Sequence, residues 1–170
     1  YTLIGEHIFG EGEDTLELVV GRLLKQHEFT LATAESCTGG YIAHLITGIP
    51  GSSVYFKGSV VAYANEIKEN ILGVTSRTLE KYGAVSEETV FEMAAGIIRQ
   101  FGVNCAISVS GIAGPDGGTP EKPVGTTWIC VLTPKGAETR KFNFGEHRGR
   151  NIRRAALAAL DMLRKQLGQA

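Results

Sequence analysis

The amino-acid sequence predicts a single α/β domain in which helices cover both faces of a mixed, mostly parallel β-sheet. Three observations carry that expectation. Amphipathic helical stripes alternate with short strand-like runs along most of the 170 residues, a hairpin pattern comes only late, and no repeat or low-complexity tract breaks the series. The length suits one ordinary domain and is too short for two comfortable ones.

Taken in order, Asp14-Thr15 is expected to cap a first helix whose Leu16, Val19, Val20, Leu23 and Leu24 recur on one face. Residues Phe29 to Ala34 read as a short buried strand, and Glu35 to Gly40 as a tight turn into a helix over Tyr41 to Thr47. Pro50-Gly51-Ser52-Ser53 marks a turn, and Val54 to Ala64 is β-rich. Asn65 is expected to cap a helix through Leu72, and a short helix follows from Ser76 to Lys81. Ser86 caps a longer helix that buries Val90, Met93, Ala94, Ile97 and Ile98, with Glu87 and Glu88 suited to its positive end. Cys105 to Val109 then reads as a strand feeding the longest glycine-rich loop, Gly111 to Val124. Thr126 to Leu132 and Glu138 to Phe144 pair as a hairpin about Pro134-Lys135-Gly136, and a last amphipathic helix runs from about Gly149 to Leu167.

Composition narrows the function. Charged residues make up 21% of the chain, 17 basic against 18 acidic, which disfavours a polyanion such as nucleic acid as partner. No apolar run approaches the roughly 18 to 20 residues that span a bilayer, so no membrane role is expected. Cys37, Cys105 and Cys130 are widely separated and odd in number, without Cys-x-x-Cys spacing. A reducing, cytoplasmic setting without a metal or other cofactor fits them. Residues 1–13 look like a linker or the end of a preceding unit, which leaves 14–170 as the domain.

Chemistry concentrates in three places. Ala34-Glu35-Ser36-Cys37-Thr38-Gly39-Gly40 joins strand to helix, where a hydroxyl would be exposed at the carboxyl edge of the sheet and backbone N–H groups could hold an oxyanion. The same residues would also serve as a plain helix cap and turn. Cys37 would need a depressed pKa to act as nucleophile, and a small buried residue is its expected role. The loop Gly111-Ile112-Ala113-Gly114-Pro115-Asp116-Gly117-Gly118, with Lys122 after it, lets backbone approach a phosphate but lacks P-loop spacing. Arg148, Arg150, Arg153 and Arg154 crowd the start of the last helix, a mildly unfavourable place for cations in pure scaffold; they would suit a phosphate or carboxylate, with solvated surface charge as the equal alternative. A serine nucleophile needs a base. His44 should project away from Ser36, whereas Lys57 and Lys68 both follow the second strand region, and spacing alone does not choose between them.

Four ordered blocks together resemble the CinA C-terminal family: Ala34 to Gly40; Tyr63-Ala64-Asn65-Glu66 with Lys68; Gly83-Ala84-Val85-Ser86; and Ser110 to Gly118 with Lys122 to Thr126. The resemblance runs from about Asp14 to Leu167. It implies a three-layer α/β/α sandwich and a metal-independent amidase that converts nicotinamide mononucleotide to nicotinate mononucleotide and ammonia. By that resemblance Ser36 is the nucleophile, Lys68 its base and Tyr63 an assistant. Thr38, Gly39 and Gly40 would line the oxyanion site, while Gly111, Ala113, Gly114, Gly117, Gly118 and Arg148 would hold the phosphoribosyl part. The family often has Ser at the position of Ala64 and Gly-Asp-Arg in place of Glu146-His147-Arg148, and it varies at Lys57, which favours Lys68 as base. A homo-oligomer is expected. The opening Gly5-Glu6-His7-Ile8-Phe9-Gly10 resembles the connector that follows a molybdopterin-binding-like domain in full-length relatives. The rival reading is a non-catalytic nucleotide-binding or interaction module tied to competence or DNA damage.

Overall fold

A computed structural model describes residues 14–168, so the reading of residues 1–13 as a linker lies outside the described residues. The elements run α1 (Leu16–His27), β1 (Leu31–Glu35), α2 (Tyr41–Thr47), a 3-10 turn (Ser52–Val54), β2 (Phe56–Val61), α3 (Asn65–Asn70), α4 (Ser76–Tyr82), α5 (Glu87–Phe101), β3 (Cys105–Gly111), β4 (Thr126–Thr133), β5 (Gly136–Asn143) and α6 (Arg148–Gly168). The strands form one sheet in the order β2-β1-β3-β4-β5. β1 pairs in parallel with both β2 and β3, and β4 is antiparallel to both its neighbours, so four strands share one direction and β4 alone opposes them.

The sheet is a middle layer because strand residues alternate between two apolar faces. Leu31 of β1, Cys105, Ile107 and Val109 of β3, and Ile129 and Val131 of β4 pack against Val20 and Leu24 of α1, Ile42 and Ile46 of α2, and Ala155, Ala159 and Leu163 of α6. The intervening Ala32, Ala34, Ala106 and Cys130 face Val90, Met93, Ala94 and Ile97 of α5. Small residues on that side let α5 lie close to the sheet. At Gly96 the approach is closest: a Cβ there would sit 1.9 Å from the Leu72 carbonyl oxygen.

Several boundaries differ from the sequence expectations. β1 extends to Glu35, because Ser36 N–H reaches Val109 O and Ala62 N–H reaches Glu35 O, each continuing a ladder past the last apolar residue. Asn65 is the first residue of α3, not its cap; Ala64 holds the cap position and no side chain supplies a bond there. The β-rich run from Val54 contributes a strand only from Phe56. Thr15 takes the α1 cap position without a side-chain bond. Ser86 does cap α5, accepting from Thr89 N–H at 3.2 Å.

The topology fixes where a ligand can enter. The chain leaves β1, crosses through α2 to β2 on one side, and returns through α3, α4 and α5 to β3 on the other side of β1. The carboxyl ends of β1 and β3 therefore flank a switch point, where connections diverge to opposite faces and leave a crevice. Both chemistry-bearing turns, after Glu35 and after Gly111, open at that edge.

Gly96→Ala is expected to destabilise the domain by about 3 kcal/mol, because a rigid backbone carbonyl occupies the added methyl's place. Urea unfolding monitored by circular dichroism would measure it.

Candidate active site

Ser36 follows the last residue of β1 and is 7% exposed. The turn beyond it closes through Gly39 N–H to Ser36 O (3.0 Å) and Tyr41 N–H to Thr38 O (3.0 Å). Gly39 and Gly40 have φ of +59° and +95°, a region open to glycine at little cost. That sharp reversal sets the hydroxyl at the carboxyl edge instead of within the ladder.

Lys68 comes from α3, with its side chain 1% exposed. Its Nζ lies 3.1 Å from Ser36 Oγ, 2.7 Å from Ala62 O and 3.3 Å from Tyr63 O. No carboxylate pairs with it among the described residues. Burial pushes its pKa below the ordinary lysine value of 10.5. As an ammonium, Lys68 can donate to all three oxygens; as a neutral amine it would spend its two N–H groups on the two carbonyls and leave its lone pair for the serine hydroxyl. The structure thus separates the two candidate lysines, since Lys57 is exposed on β2 and its Nζ reaches only Val54 O.

A cavity of about 200 Å³ opens above the pair, lined by Ser36, Cys37, Tyr63, Asn65, Lys68 and Arg148, among others. Tyr63 is 61% exposed, and its phenol accepts from Arg148 Nη2 at 3.1 Å. Arg148 also donates through Nη1 to Gly114 O at 2.7 Å, so the first residue of α6 ties the glycine-rich loop to the cavity mouth. Asn151, one helical turn on, donates to Ala113 O and Gly145 O.

The expected loop residues divide. Gly111 and Ala113 line the cavity. Gly111 has to be bare: a Cβ there would meet Thr127 Oγ1 at 2.6 Å and Cys37 Sγ at 3.1 Å. Gly118 instead lines a neighbouring groove with Pro115, Pro123 and Glu146, and a Cβ at Gly117 would rest near Ile112. Lys122 straps the loop to α4 by donating to Tyr82 O at 2.7 Å. Of the other nucleophile and base candidates, Cys37 is buried and its thiol is pushed up to about 12 by that burial, while His44 stacks on Tyr41.

Sequence reasoning gave Glu35 no role, yet it organises the turn. Its carboxylate is fully buried and accepts from Thr38 Oγ1 (2.7 Å), Gly40 N–H (3.1 Å), Ile42 N–H (3.0 Å) and Ala43 N–H (2.8 Å). The Thr38 hydroxyl and Gly40 N–H are therefore committed to a carboxylate, and Gly39 N–H to Ser36 O. The Thr33 hydroxyl stands 3.2 Å from Oε1. The available signal was an acid closing an apolar strand, since such a group is buried only where donors converge on it. Ser110, buried at the end of β3, and Asn65 also line the cavity; both lie within the blocks that carry the resemblance, though neither has a site role assigned from it.

Comparison with known proteins agrees with this architecture. The family model for the CinA C-terminal domain matches residues 13–167. A CinA-like protein of Cytophaga hutchinsonii is 54% identical over 164 residues, covering 96% of this chain and 39% of the relative. One of Thermotoga maritima is 50% identical over 163 residues, covering 96% of this chain and 40% of the relative. The chain thus spans about two fifths of the length of these curated relatives. Among solved structures, the competence damage-inducible protein A (ComA) of Klebsiella pneumoniae superposes with a TM-score of 0.87 at 36% identity, covering 91% of this chain and 96% of that one. An Escherichia coli protein of the competence-damaged (CinA) superfamily gives 0.83 at 29% identity, with 95% and 98% covered. With the sheet, both helical layers and nearly every described residue accounted for, the chain belongs to the CinA C-terminal domain family.

Proposed function

We propose that this domain is a nicotinamide-nucleotide amidase that hydrolyses the carboxamide of nicotinamide mononucleotide to nicotinate mononucleotide and ammonia. One observation carries the reading: a buried lysine without a carboxylate partner among the described residues holds its Nζ 3.1 Å from the hydroxyl of a serine at the switch-point crevice. Burial favours the neutral amine, which is the form a base requires.

In this mechanism Lys68 removes the Ser36 proton as Oγ attacks the carboxamide carbon. The negative charge on the former carbonyl oxygen is met by backbone N–H groups of the Ser36 turn. Lys68 then delivers its proton to the departing nitrogen, the C–N bond breaks, and ammonia leaves an acyl-serine. A water molecule, deprotonated by Lys68, attacks the ester; nicotinate mononucleotide departs and the proton returns to Ser36. Arg148 supplies a cation for the phosphate. Tyr63 contributes its backbone carbonyl to the Lys68 cage and its phenol to Arg148.

Ammonia release from nicotinamide mononucleotide, measured with a metal chelator present, tests the proposal. The native domain is expected to be active, and Ser36→Ala or Lys68→Ala to lower kcat at least about 1,000-fold. No release by folded native protein that still binds the nucleotide would favour the non-catalytic module instead.

The pH dependence has a definite sign. Because the base must be neutral and burial lowers its pKa, kcat/KM should climb with pH along an acid limb whose inflection lies below 10.5. Lys68→Arg should be inactive across the whole profile, since guanidinium does not deprotonate in this range. Arg148→Ala should raise KM for the nucleotide about 10- to 100-fold, while activity on nicotinamide riboside, which lacks the phosphate, changes little.

A further inference from the structure

We propose that Glu35 is a positioning residue for the reaction, fixing the turn so that the backbone N–H groups of Cys37 and Thr38 form the oxyanion site. This rests on the amidase reading and assigns a part of its machinery that the chemistry requires.

From Ser36 to His44 each backbone N–H can be traced. Ser36 donates to Val109 O, Gly39 to Ser36 O, Tyr41 to Thr38 O and His44 to Gly40 O. Gly40, Ile42 and Ala43 all donate to the Glu35 carboxylate. Only Cys37 and Thr38 are left without an oxygen acceptor among the described residues. They are the two residues directly after the nucleophile, the one interval where the oxyanion of a tetrahedral intermediate bonded to Ser36 Oγ would be close to N–H groups not already given to an oxygen.

The arrangement also explains a helix start that breaks the usual pattern. α2 has Gly40 at its cap position, which offers no side-chain acceptor. A Ser or Asp there would satisfy one N–H group. Glu35 satisfies three from below the helix and takes the Thr38 hydroxyl as well. Glycine at position 40 meets the φ of +95° that the turn requires, not a lack of space, since an added Cβ would find only Val61 Cγ2, at 3.5 Å. Thr33, two residues back on the same strand face, buttresses the carboxylate and touches Ser59 Oγ of β2 at 2.8 Å. The turn is thereby braced against two strands, not against α2 alone.

Glu35→Gln tests the assignment. It keeps the shape but replaces one acceptor oxygen with an NH2 group that must face other donors. The expected result is a 10- to 1,000-fold fall in kcat for nicotinamide mononucleotide, with KM within about threefold of native. Met93→Ala, in the opposite core, serves as the stability control: it should lower the melting temperature while keeping kcat within about twofold, because its cavity is remote from the turn. A folded Glu35→Gln protein with native kcat, or a control that loses kcat in parallel with Glu35→Gln, would overturn the proposal. Thr38→Val, which removes a single donor to the carboxylate, decides the matter if Glu35→Gln does not fold: a loss of kcat of about tenfold at unchanged KM supports it, and native kcat overturns it.

Failure of the amidase reading is distinguishable, because it would appear as an inactive native domain. Amide hydrogen exchange then scores Glu35 alone. Loss of protection at Gly40, Ile42 and Ala43 in Glu35→Gln, or at Gly40 and Ile42 in Thr38→Val if the former does not fold, with Ile107 in β3 still protected, would retain its hold on the turn. Unchanged protection would remove it.

Discussion

Burial of Lys68 with no counter-ion among the described residues is the constraint around which the site is arranged. Desolvating an ammonium costs several kcal/mol unless neighbouring groups compensate or the group gives up its proton. Here the compensation is two backbone carbonyls and one hydroxyl, all neutral. Those carbonyls belong to Ala62 and Tyr63, which follow the end of β2, so the lysine's environment is set by where that strand stops. Parallel pairing of β1 with β2 in turn places this stop beside Glu35 and Ser36, and Ala62 N–H completes the join by donating to Glu35 O. A shift of one residue in that register would separate the lysine amine from the serine hydroxyl.

The fold was largely legible because burial imposes periodicity. The stripes through Val20 and Leu24, or Val90, Met93 and Ile97, have one helical reading, and each proves to be core. The hairpin was visible from β-rich runs on either side of Pro134-Lys135-Gly136, and the strands pair directly across it. What the pattern could not supply was strand ends. Glu35 and Ser36 lack apolar side chains, yet the backbone ladder runs past them, because hydrogen bonding between strands is indifferent to polarity where donors and acceptors remain in register. Strand order was likewise beyond it. Neighbouring residues in a parallel sheet come from distant segments, and no local signal says that β3 lies on the opposite side of β1 from β2.

The site was legible to a different degree for each residue, and the reason is physical in each case. Ser36 could be singled out because it follows a strand and precedes two glycines. Lys68 and Lys57 were equivalent by spacing; only the fold shows one buried and the other in solvent. The Thr38 hydroxyl and the Gly40 N–H look like oxyanion donors in sequence, but both are taken by a carboxylate whose reach cannot be inferred from one dimension, which leaves Thr38 only its backbone N–H. Gly118 belongs to the same glycine-rich run as Gly111, yet the loop carries it away to a second groove. Local departures from ordinary preference, a buried lysine, an acid ending an apolar strand and a glycine at a helix cap, fall together at one edge of the sheet. Such clustering is what a functional site would produce in an otherwise consistent sequence, as the proposed chemistry requires.

The pairing of Ser36 with Cys37 bears on which atom can attack. A thiol is intrinsically the better nucleophile, but only as thiolate. Burial pushes the Cys37 thiol up to about 12, where almost none is ionised at neutral pH. The serine hydroxyl never needs to ionise in advance, because a base in contact can take its proton during attack. Under the proposed chemistry the same desolvation therefore acts oppositely on the two neighbours: it silences the acid that would have to be charged to react, and it prepares the amine that must be neutral to help. Cys37 is then retained for shape, filling the space beside Gly111, where no Cβ would fit.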